Sequence, residues 1–284
     1  MSEHVLAHLS TADAVLGNLI RAVGPCRLAP VADCQPFQTL ARAIAHQQLN
    51  GTAANTILAR LVNSCGQGQF PTPQMVLAAP AETLRAAGFS FAKVAALRDL
   101  AAKTLAAVVP DAATLVELAD EEIVARLTRV RGIGRWTVEM LLIFQLGRPD
   151  VLPVDDFGIR SGFRAAYGLA RMPRPKALAA FGERWKPYRS TAAWYLWRAL
   201  ELKRAGALPA PVERIRLPRV RKTRRASHVK APAASARGKR PRPAARGAPL
   251  TGADVSSAPP RRSDGRSRAR HPRARRSHAP ASRR

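Results

Sequence analysis

With 284 residues, 46% of them hydrophobic, the chain is long enough to bury a core as one or two domains. Its formal net charge of +28 favours a polyanionic partner, because neutralising phosphates releases condensed counterions. Cys26, Cys34 and Cys65 form no C-x-x-C pair, which argues against a disulfide framework or a cysteine zinc site, and no run of about eighteen apolar residues suggests a membrane span.

The N-terminus, MSEHVLAHLSTADAVLGNLIRAVG, has acidic and polar residues where a signal peptide needs a cationic start and an unbroken apolar run, so an intracellular protein is expected. From about Thr11 to Leu202 apolar residues recur at three- and four-residue steps, without the alternation of a strand. Phe37, Leu40, Ala41 and Ile44 share one helical stripe; Ala54, Ile57, Leu58 and Leu61 share the next, which ends at Gly66. Pro80 and Gly88 break the following stretch into short helices. After Pro110 the spacing predicts helices over 112–118, 121–130 and 135–146, the last stopped by Gly147 and Pro149. The expectation is an all-α bundle.

Gly132-Ile133-Gly134 lies between the last two of these helices. Glycines on either side of one apolar residue permit a tight turn, bring backbone amides close to an external group and seat Ile133 in the core. Those amides open the next helix, where unpaired N–H groups and the helix dipole favour an anion such as a DNA phosphate, with Arg135 beside it.

Further on, Pro153 biases Leu152 toward extended backbone, and a helix then begins near Asp155 and Asp156. Ordinary capping accounts for an aspartate there. Trp136, Trp185, Tyr188, Trp194 and Trp197 supply aromatic surface; for any single one, core packing is the simpler role, although an electron-rich ring face also attracts a cationic base.

The charge is uneven. Residues 1–203 carry 23 Lys and Arg against 16 Asp and Glu, whereas residues 204–284 carry 24 against three. This last stretch is nearly all Arg, Ala, Pro, Ser and Gly, so it is expected to be a disordered tether with nonspecific affinity for nucleic acid.

The segments LTRVRGIGRWTVEMLLIF, VLPVDDFGIRSGF and ERWKPYRSTAAWYLWRAL resemble the helix-hairpin-helix superfamily of DNA glycosylases, and within it the 3-methyladenine DNA glycosylase II family. The resemblance runs from about Phe37 to Leu200. It implies two helical subdomains with a cleft between them, in a domain spanning residues 1–204 with the hairpin at about 121–146, followed by the basic tail 205–284. This would be the compact form, without an N-terminal β domain.

The resemblance makes Asp156 the catalytic acid, with Asp155 one residue of slip away. It puts base stacking on Trp197 first, then Trp136, with Trp194 on the same helix face as Trp197, and places the hairpin contact to DNA at Gly132, Ile133, Gly134 and Arg135. Gln48 or Leu49 becomes the wedge that fills the gap left by an extruded nucleotide. Two departures from simpler expectations matter: Arg131 stands where the hairpin commonly has proline, which would loosen the turn, and Trp136 stands where bifunctional members have a lysine. Indole cannot form a Schiff base.

The expected activity is therefore monofunctional: extrusion and hydrolytic excision of alkylated purines, 3-methyladenine and 7-methylguanine, leaving an abasic site. No organic cofactor is expected, though hairpin carbonyls could hold a monovalent cation. The expected partner is double-stranded DNA containing damaged bases, bound by a monomer with no membrane association. Two alternatives stay open: excision of uracil, hypoxanthine or a mismatched base, and DNA binding without chemistry.

Overall fold

The computed structural model describes residues 3–30 and 35–218, and among these every regular element is helical. In chain order they are α1 (Glu3–Ala12), α2 (Ala14–Val23), α3 (Pro36–His46), α4 (Gly51–Cys65), α5 (Pro73–Ala78), α6 (Ala81–Ala86), α7 (Phe91–Leu105), α8 (Ala112–Glu117), α9 (Asp120–Leu127), α10 (Arg135–Phe144), α11 (Phe157–Ala166), α12 (Pro175–Gly182) and α13 (Arg189–Arg204), with a 3-10 turn over Glu183–Trp185. The helices expected after Pro110 are present, with α10 ending two residues early at Phe144.

Short polar side chains start many of these helices. Asp13, Asn50, Thr72, Ser90, Asp111 and Asp156 each accept a hydrogen bond from the amide three residues on. Such a cap is worth about 1 kcal/mol.

The apolar stripes gather into two cores. The first, drawn from α3 to α10, contains Leu40, Ile44, Leu97, Leu100, Leu127, Val138 and Ile143. The second joins the two N-terminal helices to α11–α13 through Leu9, Leu16, Leu19, Phe163, Trp185 and Tyr195. Asp13, buried at the head of α2, fastens this second core: its Oδ2 accepts from Tyr167 Oη at 2.7 Å and from Trp185 Nε1 at 2.9 Å. Burial, with the Asp13 charge beside it, raises the Tyr167 phenol well above its ordinary range. Trp197 packs against both cores.

The approach of α11 to α13 depends on glycine. A Cβ at Gly162 would lie 1.8 Å from the Leu196 carbonyl oxygen, and one at Gly158 would lie 2.9 Å from Trp197 Cδ1. No other residue fits without moving α13. This contact sets Trp197 over the first turn of α11.

The chain remains packed beyond residue 204, where the sequence suggests the folded part ends. Leu208, Ile215 and Leu217 lie against the second core, and Asn18 Nδ2 donates to the Ala210 carbonyl at 3.4 Å. The greater part of the basic stretch, residues 219–284, lies outside the described residues, as does Cys34.

Candidate active site

The turn between α9 and α10 has the expected form. Gly132 has φ +78°, Ile133 is buried, and Gly134 precedes the first turn of α10. Three hydrogen bonds brace the turn from outside: Arg131 N donates to Asp99 Oδ2 at 2.7 Å, Lys103 Nζ to the Arg129 carbonyl at 2.6 Å, and Gln47 Nε2 to the Gly132 carbonyl at 2.8 Å. Arg131 therefore does not loosen the hairpin as its sequence position suggests. Its amide makes a bond to α7 that proline, lacking an N–H, would forgo. Burial works to raise the Asp99 carboxyl, but the Arg131 amide and the Lys103 ammonium outweigh it and hold the group below its ordinary value. The carbonyls of Arg129 and Gly132 already accept from Lys103 and Gln47, so the chain's own donors meet two of the oxygens at which a cation was conceivable.

Asp156 sits at the N-cap of α11, and its carboxylate is held from three sides. Oδ1 accepts from Ile159 N at 2.7 Å and from Trp197 Nε1 at 3.0 Å; Oδ2 accepts from Trp136 Nε1 at 2.8 Å. The capping role and the site role thus fall on one side chain. Asp155 is exposed and lies outside the helix. Of the two acids, only Asp156 joins the indoles.

Beside this group lies a cavity of about 360 Å³, within the range of small-molecule sites. Leu40, Ala43, Met140, Leu141 and Phe144 give it apolar walls, and Trp136 and Gln48 reach its edge. Trp136 is half exposed and lines the cavity, whereas Trp197 stacks on Phe144 with centroids 5.6 Å apart and contacts Asp156. Of the two indoles, then, Trp136 offers the open face. Gln48 and Leu49 occupy the turn between α3 and α4; Gln48 has φ +57°, sparsely populated for a residue with a Cβ, and Leu49 is exposed. A larger cavity, of about 580 Å³, is lined by residues such as Phe37, Phe70, Asp111 and Arg126 and includes neither Asp156 nor any of the indoles.

The remaining aromatic and cationic candidates are engaged elsewhere. Trp194 is buried in the second core, edge-on to Tyr195 with Arg198 over its ring. Trp185 serves Asp13, and Tyr188 Oη bonds His4 Nε2 at 2.7 Å. Arg189 grips Asp150, Lys186 pairs with Glu183, and Arg135 forms a fork with Glu121 at 3.0 and 2.6 Å. Such exposed pairs are weak, so Arg135 can exchange its carboxylate for a phosphate at small cost.

Three participants escape sequence reasoning: Gly158, Asp99 and Glu139. Glu139, on α10 one turn beyond Trp136, is buried; its carboxyl is pushed up to about 7, chiefly by burial, with the charges of Asp155, Glu121 and Asp156 adding and Arg135 opposing. A glutamate at that position on an otherwise apolar helix face was the available signal.

A glycine hairpin braced for phosphate, an acid clasped by indoles and an adjoining aromatic cavity define a helix-hairpin-helix protein equipped for chemistry on a nucleotide. Residues 41–187 match the HhH-GPD superfamily base excision DNA repair protein family, and the chain belongs to that family. It is 41% identical over 196 residues to DNA-3-methyladenine glycosylase 1 of Schizosaccharomyces pombe, covering 69% of this chain and 86% of that one. Among solved structures it resembles an S. pombe 3-methyladenine DNA glycosylase in complex with abasic DNA, at 40% identity and TM-score 0.61, over 69% of this chain and 95% of the other. It also resembles a DNA-3-methyladenine glycosidase from Bacillus halodurans, at 31% identity and TM-score 0.65, over 71% and 91%.

Proposed function

We infer that this chain is a monofunctional DNA glycosylase that extrudes alkylated purines, of which 3-methyladenine and 7-methylguanine are the expected ones, and hydrolyses their N-glycosidic bonds in base excision repair. The observation that carries this reading is the Asp156 carboxylate, fixed by two indole N–H donors one hydrogen bond from the wall of an apolar cavity. The names of the relatives, and the abasic DNA bound by one of them, support the same substrate class.

Breaking the bond leaves positive charge on the deoxyribose. A carboxylate held in place stabilises that charge without having to reorganise, and it accepts the proton of the attacking water. Alkylation at a ring nitrogen has already made the base a cationic leaving group, so one acid suffices. The open face of Trp136 suits such a base through cation–π attraction, roughly 0.5–2 kcal/mol. Trp197 orients the acid instead of facing the base. Gln48, backed by Leu49, fills the space that the nucleotide vacates. The hairpin amides, with Arg135 released from Glu121, hold the strand. Because Trp136 occupies the position of the lysine in bifunctional relatives, the product is an intact strand with an abasic site.

The test is to incubate the protein with globally methylated DNA and identify the bases released. Free 3-methyladenine and 7-methylguanine, with no strand nicking before alkali, are the expected products. Release confined to uracil or hypoxanthine duplexes would reassign the lesion, and no release from any of them would leave only DNA binding.

A further inference from the structure

Phe91, the first residue of α7, is 78% exposed, although its neighbour but one, Phe89, is fully buried. Leaving an aromatic ring in water forgoes roughly 2 kcal/mol of burial, and packing within the chain returns little of it. The ring is nevertheless held in place. The Arg85 guanidinium lies over it at 4.1 Å and is itself tied to the Phe89 carbonyl, while Ser90 caps the helix beneath.

The position of this platform is informative. Lys93, two residues on, donates to the Ala45 carbonyl at 2.8 Å, which docks the start of α7 against the end of α3 just before the Gln47–Leu49 turn. Farther along α7, Asp99 holds the hairpin amide of Arg131, and Ala96 lies 3.5 Å from where a Gly132 side chain would begin. Phe91 therefore shares a helix with residues that brace both DNA-facing turns. The cavity walls come from α3, its following turn and α10, and none from α7. The Gln47–Leu49 turn thus stands between the cavity and Phe91.

We propose, building on the excision reading above, that Phe91 backed by Arg85 is a second contact with the opened duplex, stacking on the base left unpaired when its partner enters the cavity. An exposed π-face with a cation behind it suits any nucleobase, so the contact stabilises the opened state without reading sequence.

The full-length chain tests this with two duplexes carrying a central tetrahydrofuran abasic analogue, one facing thymine and the other facing a second tetrahydrofuran. The wild type is expected to bind the first about tenfold more tightly, as loss of one stacked base implies. Phe91→Ala brings that ratio close to one, and Phe91→Trp restores it. A ratio unchanged in Phe91→Ala, or a wild-type ratio of one, overturns the proposal. Base release from methylated DNA by the same preparations is independent: absence of release with the ratio intact overturns the excision reading while supporting the stacking contact.

Discussion

At the scale of single residues, the site turns on how Asp156 is held. Its oxygens take three hydrogen bonds, and the one from Trp197 exists only because Gly158 leaves room for the indole. A methyl group at position 158 would stand 2.9 Å from Trp197 Cδ1 and 3.1 Å from Asp156 Oδ1. Gly158→Ala should therefore displace the acid and slow single-turnover base release by about 10²-fold, the scale of an ångström's misplacement, while DNA affinity measured by anisotropy stays near wild type. Undiminished release would show that the Trp197 contact is dispensable. From the residues alone Asp156 read as a cap, and only its resemblance to a family motif made it catalytic; it is in fact a cap within a site. The indole bonds span 20 and 41 residues and depend on interhelical approach, so no local pattern reveals them. The same distance hides the use of Trp185, which serves Asp13 172 residues away.

At the scale of elements, helical periodicity, glycines and prolines made α3, α4 and α7–α10 legible, and the Gly-Ile-Gly turn with them. What holds that turn was not, because the Asp99–Arg131 bond joins positions 32 apart. On α10, Glu139 carries a pH-dependent cost. Its folded value near 7 lies above its ordinary 4.5 because burial disfavours the charged form. With the folded value raised, its stabilising contribution is complete below pH 4.5 and is lost as pH rises to about 7, an effect of at most about 3 kcal/mol. Glu139→Gln should remove that slope, so the variant gains on the wild type in urea denaturation between pH 5 and 7.5. Parallel stability profiles would mean that Glu139 titrates normally.

At the scale of the whole molecule, the second core closes α1 and α2 onto α11–α13, and Trp197 joins it to the first. The helical class was plain from the sequence, but this partition was not, since it pairs residues near both ends of the fold. Past residue 218 the remaining chain holds 21 Lys and Arg against two Asp. Deleting residues 219–284 should weaken DNA binding and flatten the slope of log K against log salt, without ending base release, because each phosphate neutralised contributes to that slope. An identical slope in the shortened protein would show that the charge run makes no phosphate contacts.

The most direct measurement is single-turnover base release from methylated DNA by Asp156→Asn, with binding to the same DNA followed in parallel. Asparagine still caps α11, so the fold and DNA affinity should persist while release falls at least about 100-fold, the scale of losing a preorganised electrostatic group. Release at the wild-type rate by a folded, DNA-binding Asp156→Asn protein would contradict the account.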